Sequence, residues 1–194
     1  MSSPAFSLGF HGCDRSLADR VVTGTESLAP STNPYDWLGH GTYFWENDPE
    51  RAHKWARDHG CAGPAVIGAV IDLGLCLDLS QAAHLALLVK SYEHLQRLLS
   101  AADGHSRMPV NDRGFEGDGD EVKRYLDCSV INTLHTMRDA GGEPSFDTVR
   151  SPFIEGQPLY PGGKIMAKTH VLICVRNESN VNGYFHPRGA IAGT

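Results

Sequence analysis

The 194-residue chain has no C-x-x-C pair, no His-Glu-x-x-His run and no excess of positive charge. Each absence removes a class of protein. The five cysteines (Cys13, Cys61, Cys76, Cys128, Cys174) are odd in number and scattered, which argues against a structural zinc site and against a disulfide framework. His53 and His59 stand six apart on one expected helix and do not share a face, so a metal-dependent hydrolase is disfavoured and no metal is expected. A formal charge of -6 weakens any case for broad attraction to nucleic acid, although it leaves room for a local basic groove. No run approaches the roughly 20 apolar residues of a membrane helix. The opening "MSSPAFSLGFHG" lacks a basic region followed by a long apolar stretch, so no secretory leader is expected and a reducing cytoplasm is the simplest compartment.

The composition is that of an ordinary globular chain, 41% hydrophobic and 21% charged, and the length suits one domain over residues 1–194. The first strand is expected from Ala5 to Phe10. A helix follows in "CDRSLADRVVTG", capped by Asp14, ended by Gly24 and buried through Leu17, Ala18 and Val21. "GTYFWE" suits a pleated surface. "NDPERAHKWARDHG" is a helix with Asp48 as N-cap, Pro49 at its first position, Gly60 as its stop, and Ala52, Trp55 and Ala56 at helical spacing. "PAVIGAVIDLGLCLDLS" reads as a strand that bends near Gly74.

Leu85, Leu88, Val89, Tyr92, Leu95 and Leu99 recur at helical spacing and predict one buried stripe. After the loop "DGHSRMPVNDRGFEGDGD", a second long helix is expected from Asp120. Val122, Tyr125, Leu126, Leu134 and Met137 would form its core face, and Gly141 its stop. The last quarter holds short β-type pieces, "FDTVRSPFIEG", "THVLICVRN" and "VNGYFHP". No internal repeat or linker divides the chain. The pattern is α+β with mainly antiparallel pairing.

Three stretches set polar groups beside glycines at strand ends. In "FHGC", His11 precedes Gly12, where a ligand can approach bare backbone, or where the strand simply turns. In "GHGTYF", Gly39 and Gly41 lead a strand whose alternation puts Tyr43 and Trp45 on one face and Thr42 and Phe44 on the other. That strand suits an aromatic core as well as a stacking platform. In "SPFIEGQPLY", Glu155 sits in an apolar context where a carboxylate needs a partner or a task, or else lies exposed on an edge.

Taken in order, "FHG" at 10–12, "GHGTYF" at 39–44 with its capped helix, and "FIEG" at 153–156 resemble the ADP-ribosyltransferase superfamily. The likeness is to its His-Tyr-Glu branch, which includes diphtheria-toxin-like and poly(ADP-ribose)-polymerase-like enzymes. The resemblance implies two small, mainly antiparallel β-sheets forming an NAD cleft flanked by helices, with NAD as co-substrate. It implies that His11 bonds the adenosine ribose, that Gly12 offers backbone groups to the nicotinamide amide, and that Tyr43 stacks on the nicotinamide. Gly41, Thr42 and Phe44 would complete the cofactor-binding strand. Glu155 would bond the nicotinamide ribose and stabilise its positive charge.

Two residues depart from the pattern. Cys13 stands where Thr or Ser is usual, and Phe153 stands where arginine-modifying relatives carry a second acid, so arginine is disfavoured as acceptor. The implied activity is mono-ADP-ribosyl transfer to a protein or nucleic acid, of the kind found in bacterial toxins and defence effectors, with an inhibitor or antitoxin as a further partner. An NAD glycohydrolase, a non-catalytic NAD- or partner-binding member and an RNA 2'-phosphotransferase relative are the alternatives. Glu178 is a rival acid, although "RNESN" reads as a turn. Arg150, Arg176 and Arg188 are either a small phosphate site or solvated surface.

Overall fold

Asp48 and Pro49 show how this sequence turns a strand into a helix. The Asp48 side chain accepts a bond from the Arg51 amide at 2.9 Å, and Pro49 fills the first helical position, where no amide is needed. In the computed structural model, which describes residues 6–102, 107–113 and 120–188, the elements run in this order. They are β1 (Phe6–Asp14), α1 (Arg15–Val22), β2 (Thr42–Glu46), α2 (Pro49–Asp58), β3 (Pro64–Asp72), β4 (Cys76–Asp78), α3 (Ala82–Ala102), α4 (Tyr125–Ala140), β5 (Thr148–Phe153), β6 (His170–Val175) and β7 (Val181–Phe185). A 3-10 turn at Glu178–Asn180 leads into β7. Ala5 and most of the expected 103–120 loop lie outside the described residues.

The architecture is mixed α+β, and the described strands form one sheet rather than two small ones. Seven strands are hydrogen-bonded in the order β4-β5-β6-β2-β1-β3-β7. Among the described strands only β4 and β5 run parallel. The central seam is thin: β1 and β2 are paired at Gly9↔Glu46 and Phe10↔Trp45 alone, whereas β1 pairs with β3 over its full length.

Alternation sends side chains to two faces. On one face α1 supplies Ala18 and Val21 to a core with Phe44, Ile67, Ile71 and Ile173. On the other, α4 supplies Ile131 and Leu134 to a core with Val149, Phe153, Leu172 and Cys174, while Ala52 of α2 meets Phe10 and Val66. Polar groups also tie the halves. Arg150 of β5 reaches Glu46 of β2 at 2.7 Å and Asp78 of β4 at 3.3 Å, and Ser7 of β1 donates to the same glutamate at 3.0 Å. All five cysteines are unpaired.

Three local expectations are corrected. Asp14 does not cap α1; its carboxylate accepts from the Gly63 amide at 3.2 Å, while the Arg15 amide bonds the Gly63 carbonyl. α4 starts at Tyr125, and Val122 is 44% exposed. The preceding segment stays extended because Lys123 exchanges two main-chain bonds with Asp112, Arg124 bonds Tyr35, and the Val122 carbonyl accepts from the Trp37 indole. Asn111 caps the helix instead, through the Leu126 amide at 2.9 Å.

The predicted stripe of α3 is the third correction, because Leu85, Val89 and Tyr92 are exposed. α3 meets α4 through fully buried Ser91, whose hydroxyl donates to the Val130 carbonyl at 2.7 Å, and only Leu87 and Leu88 pack on the core.

His135 of α4 is buried against the Phe146 ring edge, and neither ring nitrogen has a partner. Burial, helped by the Arg176 charge, lowers its pKa to about 3. The unfolded chain takes up the proton near 6.5 and the folded chain does not, so stability is fully present above pH 6.5 and falls as pH drops toward 3. The slope is on the order of 1 kcal/mol per pH unit. Replacing His135 with Leu removes an unpartnered polar ring and should reduce the loss of stability between pH 7 and pH 5, read from urea midpoints of both proteins. An unchanged loss would reject this account.

Candidate functional site

The central strands bring two of the three sequence-predicted groups into contact. His11 lies in β1 one residue beyond the last pair with β2, and its Nδ1 is 2.8 Å from the main-chain oxygen of Tyr43. The carbonyl only accepts, so Nδ1 holds the proton and Nε2 keeps its lone pair. The ring leans on Phe44 at 5.8 Å, on the α1 face. Burial lowers the His11 pKa against the opposing Tyr43 bond, so the neutral imidazole is favoured.

Gly12 faces the other way, onto α2. A Cβ there would lie 2.0 Å from the Ala52 carbonyl oxygen, so only glycine lets helix and strand close to this distance.

Tyr43 projects to the α2/α4 face, as the alternation predicts. Its ring is half-buried, and its hydroxyl donates to the Gly39 carbonyl at 2.5 Å and accepts from the Leu38 amide at 2.8 Å. The hydroxyl is therefore spent on the turn that leads into β2. Gly41 exchanges both main-chain bonds with Ser31, and a Cβ there would meet the Cys174 sulfur at 2.6 Å. Thr42 is half-buried opposite Val175, and Phe44 is fully buried in the α1-side core. Trp45, on the Tyr43 face, is 6.1 Å from Trp55 of α2, which stacks on His59 at 4.1 Å.

Glu155 belongs to a second group. It lies two residues past the end of β5, whose last residue, Phe153, pairs with His170. Leu172 of β6 in turn pairs with Trp45. With strands ~4.8 Å apart and a rise of ~3.3 Å per residue, its backbone is more than about 10 Å from His11. The residue is 8% exposed, and its carboxylate accepts from the Arg124 guanidinium at 2.9 Å. That guanidinium lies over the rings of Trp37 at 4.3 Å and Phe153 at 4.7 Å. Burial raises the Glu155 pKa, with Arg124 pulling it back. The chain beyond is anchored by Asp120, which accepts from the Gly156 amide at 3.0 Å and the Lys168 ammonium at 3.1 Å. Phe153 also stacks on His170 at 5.5 Å.

An apolar cleft of about 630 Å³ opens beside this group, lined by α3 and α4 and by Trp37, Arg124, Phe153 and Ile154. The solvent-facing stripe of α3 is its outer wall. The volume falls within the range of small-molecule sites.

Arg124, Trp37 and His170 were not picked out from the sequence. Their signals are faint: a cation in the polar lead-in to a helix, an aromatic in a Ser/Pro/Asn-rich loop, and an imidazole opening an otherwise apolar strand. The three late arginines do not gather. Arg150 is committed to two carboxylates, Arg176 donates to the Phe146 carbonyl at 2.8 Å, and Arg188 is exposed. Glu178 lies in the short turn before β7. Among the described residues, no group of three or more His, Cys, Asp or Glu side chains is placed to hold a metal ion, and no helix is long and apolar enough to cross a membrane.

The architecture is thus a mixed seven-stranded sheet with four helices among the described residues, with His11 on the α1 face and Tyr43 and the Arg124–Glu155 pair on the other. The chain is 26% identical over 192 residues to an uncharacterized protein of Methanocaldococcus jannaschii, over 88% of this chain and 82% of that protein. No family model matches it, and no solved structure matches it.

The Arg124–Glu155 pair is largely withdrawn from water, so removing one partner strands the other. Arg124→Ala should destabilise the fold by about 3 kcal/mol, the scale for breaking a buried pair. Adding Glu155→Gln to that variant should recover part of the loss. Urea denaturation of the single and double variants tests this, and additive losses would refute the coupling.

Proposed function

We propose that this protein cleaves the nicotinamide–ribose bond of NAD and transfers ADP-ribose to a macromolecular acceptor, protein or nucleic acid. One observation carries the reading. The His-Gly stretch falls on β1 and the Tyr-Phe of the Gly-x-Gly-x-Tyr-Phe stretch on β2, just beyond the point where those strands stop pairing, with the His11 imidazole bonded to the Tyr43 carbonyl. Paired strands satisfy their own main-chain groups. Where they part, main-chain groups turn to other partners, here the His11 ring and, in this reading, a ligand.

In this reading His11 offers Nε2 to a ribose hydroxyl of the adenosine half. Gly12 presents its backbone to the nicotinamide amide, and Tyr43 supplies a ring face with its hydroxyl already tied down. Gly41, Thr42 and Phe44 hold that strand in place. Glu155, on the same sheet face as Tyr43, is the carboxylate for the oxocarbenium-like sugar that forms as nicotinamide leaves. Such a charge is stabilised more in the transition state than in the ground state. Arg124 keeps the carboxylate oriented and ionised until a cationic sugar competes for it. The apolar cleft bordered by Arg124 and Phe153 is, in this reading, the surface on which an acceptor docks. The cytoplasm holds NAD and remains the expected compartment. An inhibitor partner would follow if the protein acts as a toxin.

Labelled NAD incubated with the protein alone, and with lysate, RNA or DNA, separates the outcomes by where the label goes. Glu155→Gln should keep NAD binding and lose roughly two or more orders of magnitude in turnover. A nearly wild-type rate in a folded Glu155→Gln protein would remove Glu155 from the mechanism.

A further inference from the structure

His170 is the first residue of β6 and projects to the same sheet face as Leu172 and Cys174, the face that carries Tyr43 and Trp45. Its ring lies against Phe153 at 5.5 Å with 27° between planes, and Trp37 is 5.8 Å away. Nδ1 is 2.7 Å from the Lys168 main-chain oxygen. A carbonyl cannot donate, so this bond fixes the tautomer: Nδ1 carries the proton and Nε2 presents a lone pair. Nε2 has no hydrogen-bond partner among the described residues.

Three charged groups act on the imidazole electrostatically. Arg51 and Asp48 come from the start of α2, and Arg124 comes from the segment before α4. Burial is the largest influence on the ring and lowers its pKa. The Lys168 carbonyl opposes this, the two arginines add to it, and Asp48 offsets them. The side chain is thus half-buried, neutral at pH 7, fixed in orientation and bare at one basic nitrogen. His135 is the contrast. It is fully enclosed with neither nitrogen held, which suits packing and not proton transfer.

We propose that His170 is the general base that takes the proton from the acceptor. The inference rests on the NAD-cleaving reading above and assigns a group that reading leaves open. Glu155 is held by Arg124 and is suited to charge stabilisation; a base needs a free lone pair, and His170 Nε2 has one. The step balances without further reagents. As the bond from ribose C1' to nicotinamide breaks, nicotinamide leaves with the bonding electrons as a neutral base. The acceptor oxygen or nitrogen bonds to C1', and its proton passes to Nε2. The resulting imidazolium then loses that proton to solvent.

Nucleophiles with and without a proton to lose separate this role from a structural one. The 194-residue chain and its His170→Ala and His170→Gln variants are given labelled NAD in buffer, with added methanol, and with added sodium azide. Water and methanol must shed a proton on attack; azide, an anion, need not. Both variants should bind NAD as wild type does. They should lose about 10²-fold or more in turnover with water and methanol, the scale of general-base catalysis, and keep most of the azide reaction.

The wild-type rate in water should fall on the acid side with an apparent pKa below 6.5, and that limb should vanish in the variants. Equal losses with azide and with water in folded, NAD-binding variants would overturn the assignment and make the ring structural. Unchanged rates would overturn it as well. The NAD-cleaving reading fails separately: wild-type protein inert toward NAD with every nucleophile removes both proposals.

Discussion

The thin seam between β1 and β2 governs the rest of the molecule. Two strands at the centre of a sheet would ordinarily spend their main-chain groups on each other. Here they part after Phe10, and side chains take over. The His11 ring bonds the Tyr43 carbonyl, the Tyr43 hydroxyl folds back onto the turn before its own strand, and Gly12 lets α2 press onto β1. On the α1 face, which His11 shares, Arg150 reaches across β6 to Glu46 and also holds Asp78, tying strands that the seam would leave loosely joined. The seam therefore creates the need for reinforcement, and side chains supply it.

Much of this half of the structure was legible in the sequence, because the signals are local. Strand alternation sent Tyr43 and Trp45 to one face and Phe44 to the other. Asp48, Pro49 and Gly60 delimited α2 through capping and backbone rules that act within one turn. Asp14 looked equally good as a cap, but a residue distant in sequence, Gly63, took its carboxylate. α4 began late for the same kind of reason: Asp112, Tyr35 and Trp37 hold residues 122–124 extended, and no helical propensity reports such partners. The stripe on α3 is apolar as its spacing predicts, but Leu85, Val89 and Tyr92 stay exposed while Leu88, Leu95 and Leu99 are half-buried. Periodicity records which residues share a face, not what lies opposite that face.

The chemistry of the candidate site was legible to the same depth. The apolar setting of Glu155 signalled a carboxylate in need of a partner, and it has one. Nothing in the sequence named Arg124, which arrives from 31 residues away over two aromatic rings. Nor did position reveal that Glu155 would keep company with His170 and Trp37, while His11 and Tyr43 meet at the seam. Motif order along the chain gives no measure of separation across a sheet.

The parallel pairing of β4 with β5 has a consequence in time. β4 must wait for the chain to run through all of α3 and α4 before its partner exists. His11, Gly12 and Tyr43 belong to the stretch made first, whereas Glu155 and His170 follow more than 100 residues after Tyr43. At ribosomal rates that delay is on the order of 10 s. A nascent chain would thus possess the groups proposed to hold a dinucleotide well before those proposed to break it, and β2 would have to wait for β6 before its own pairing is complete.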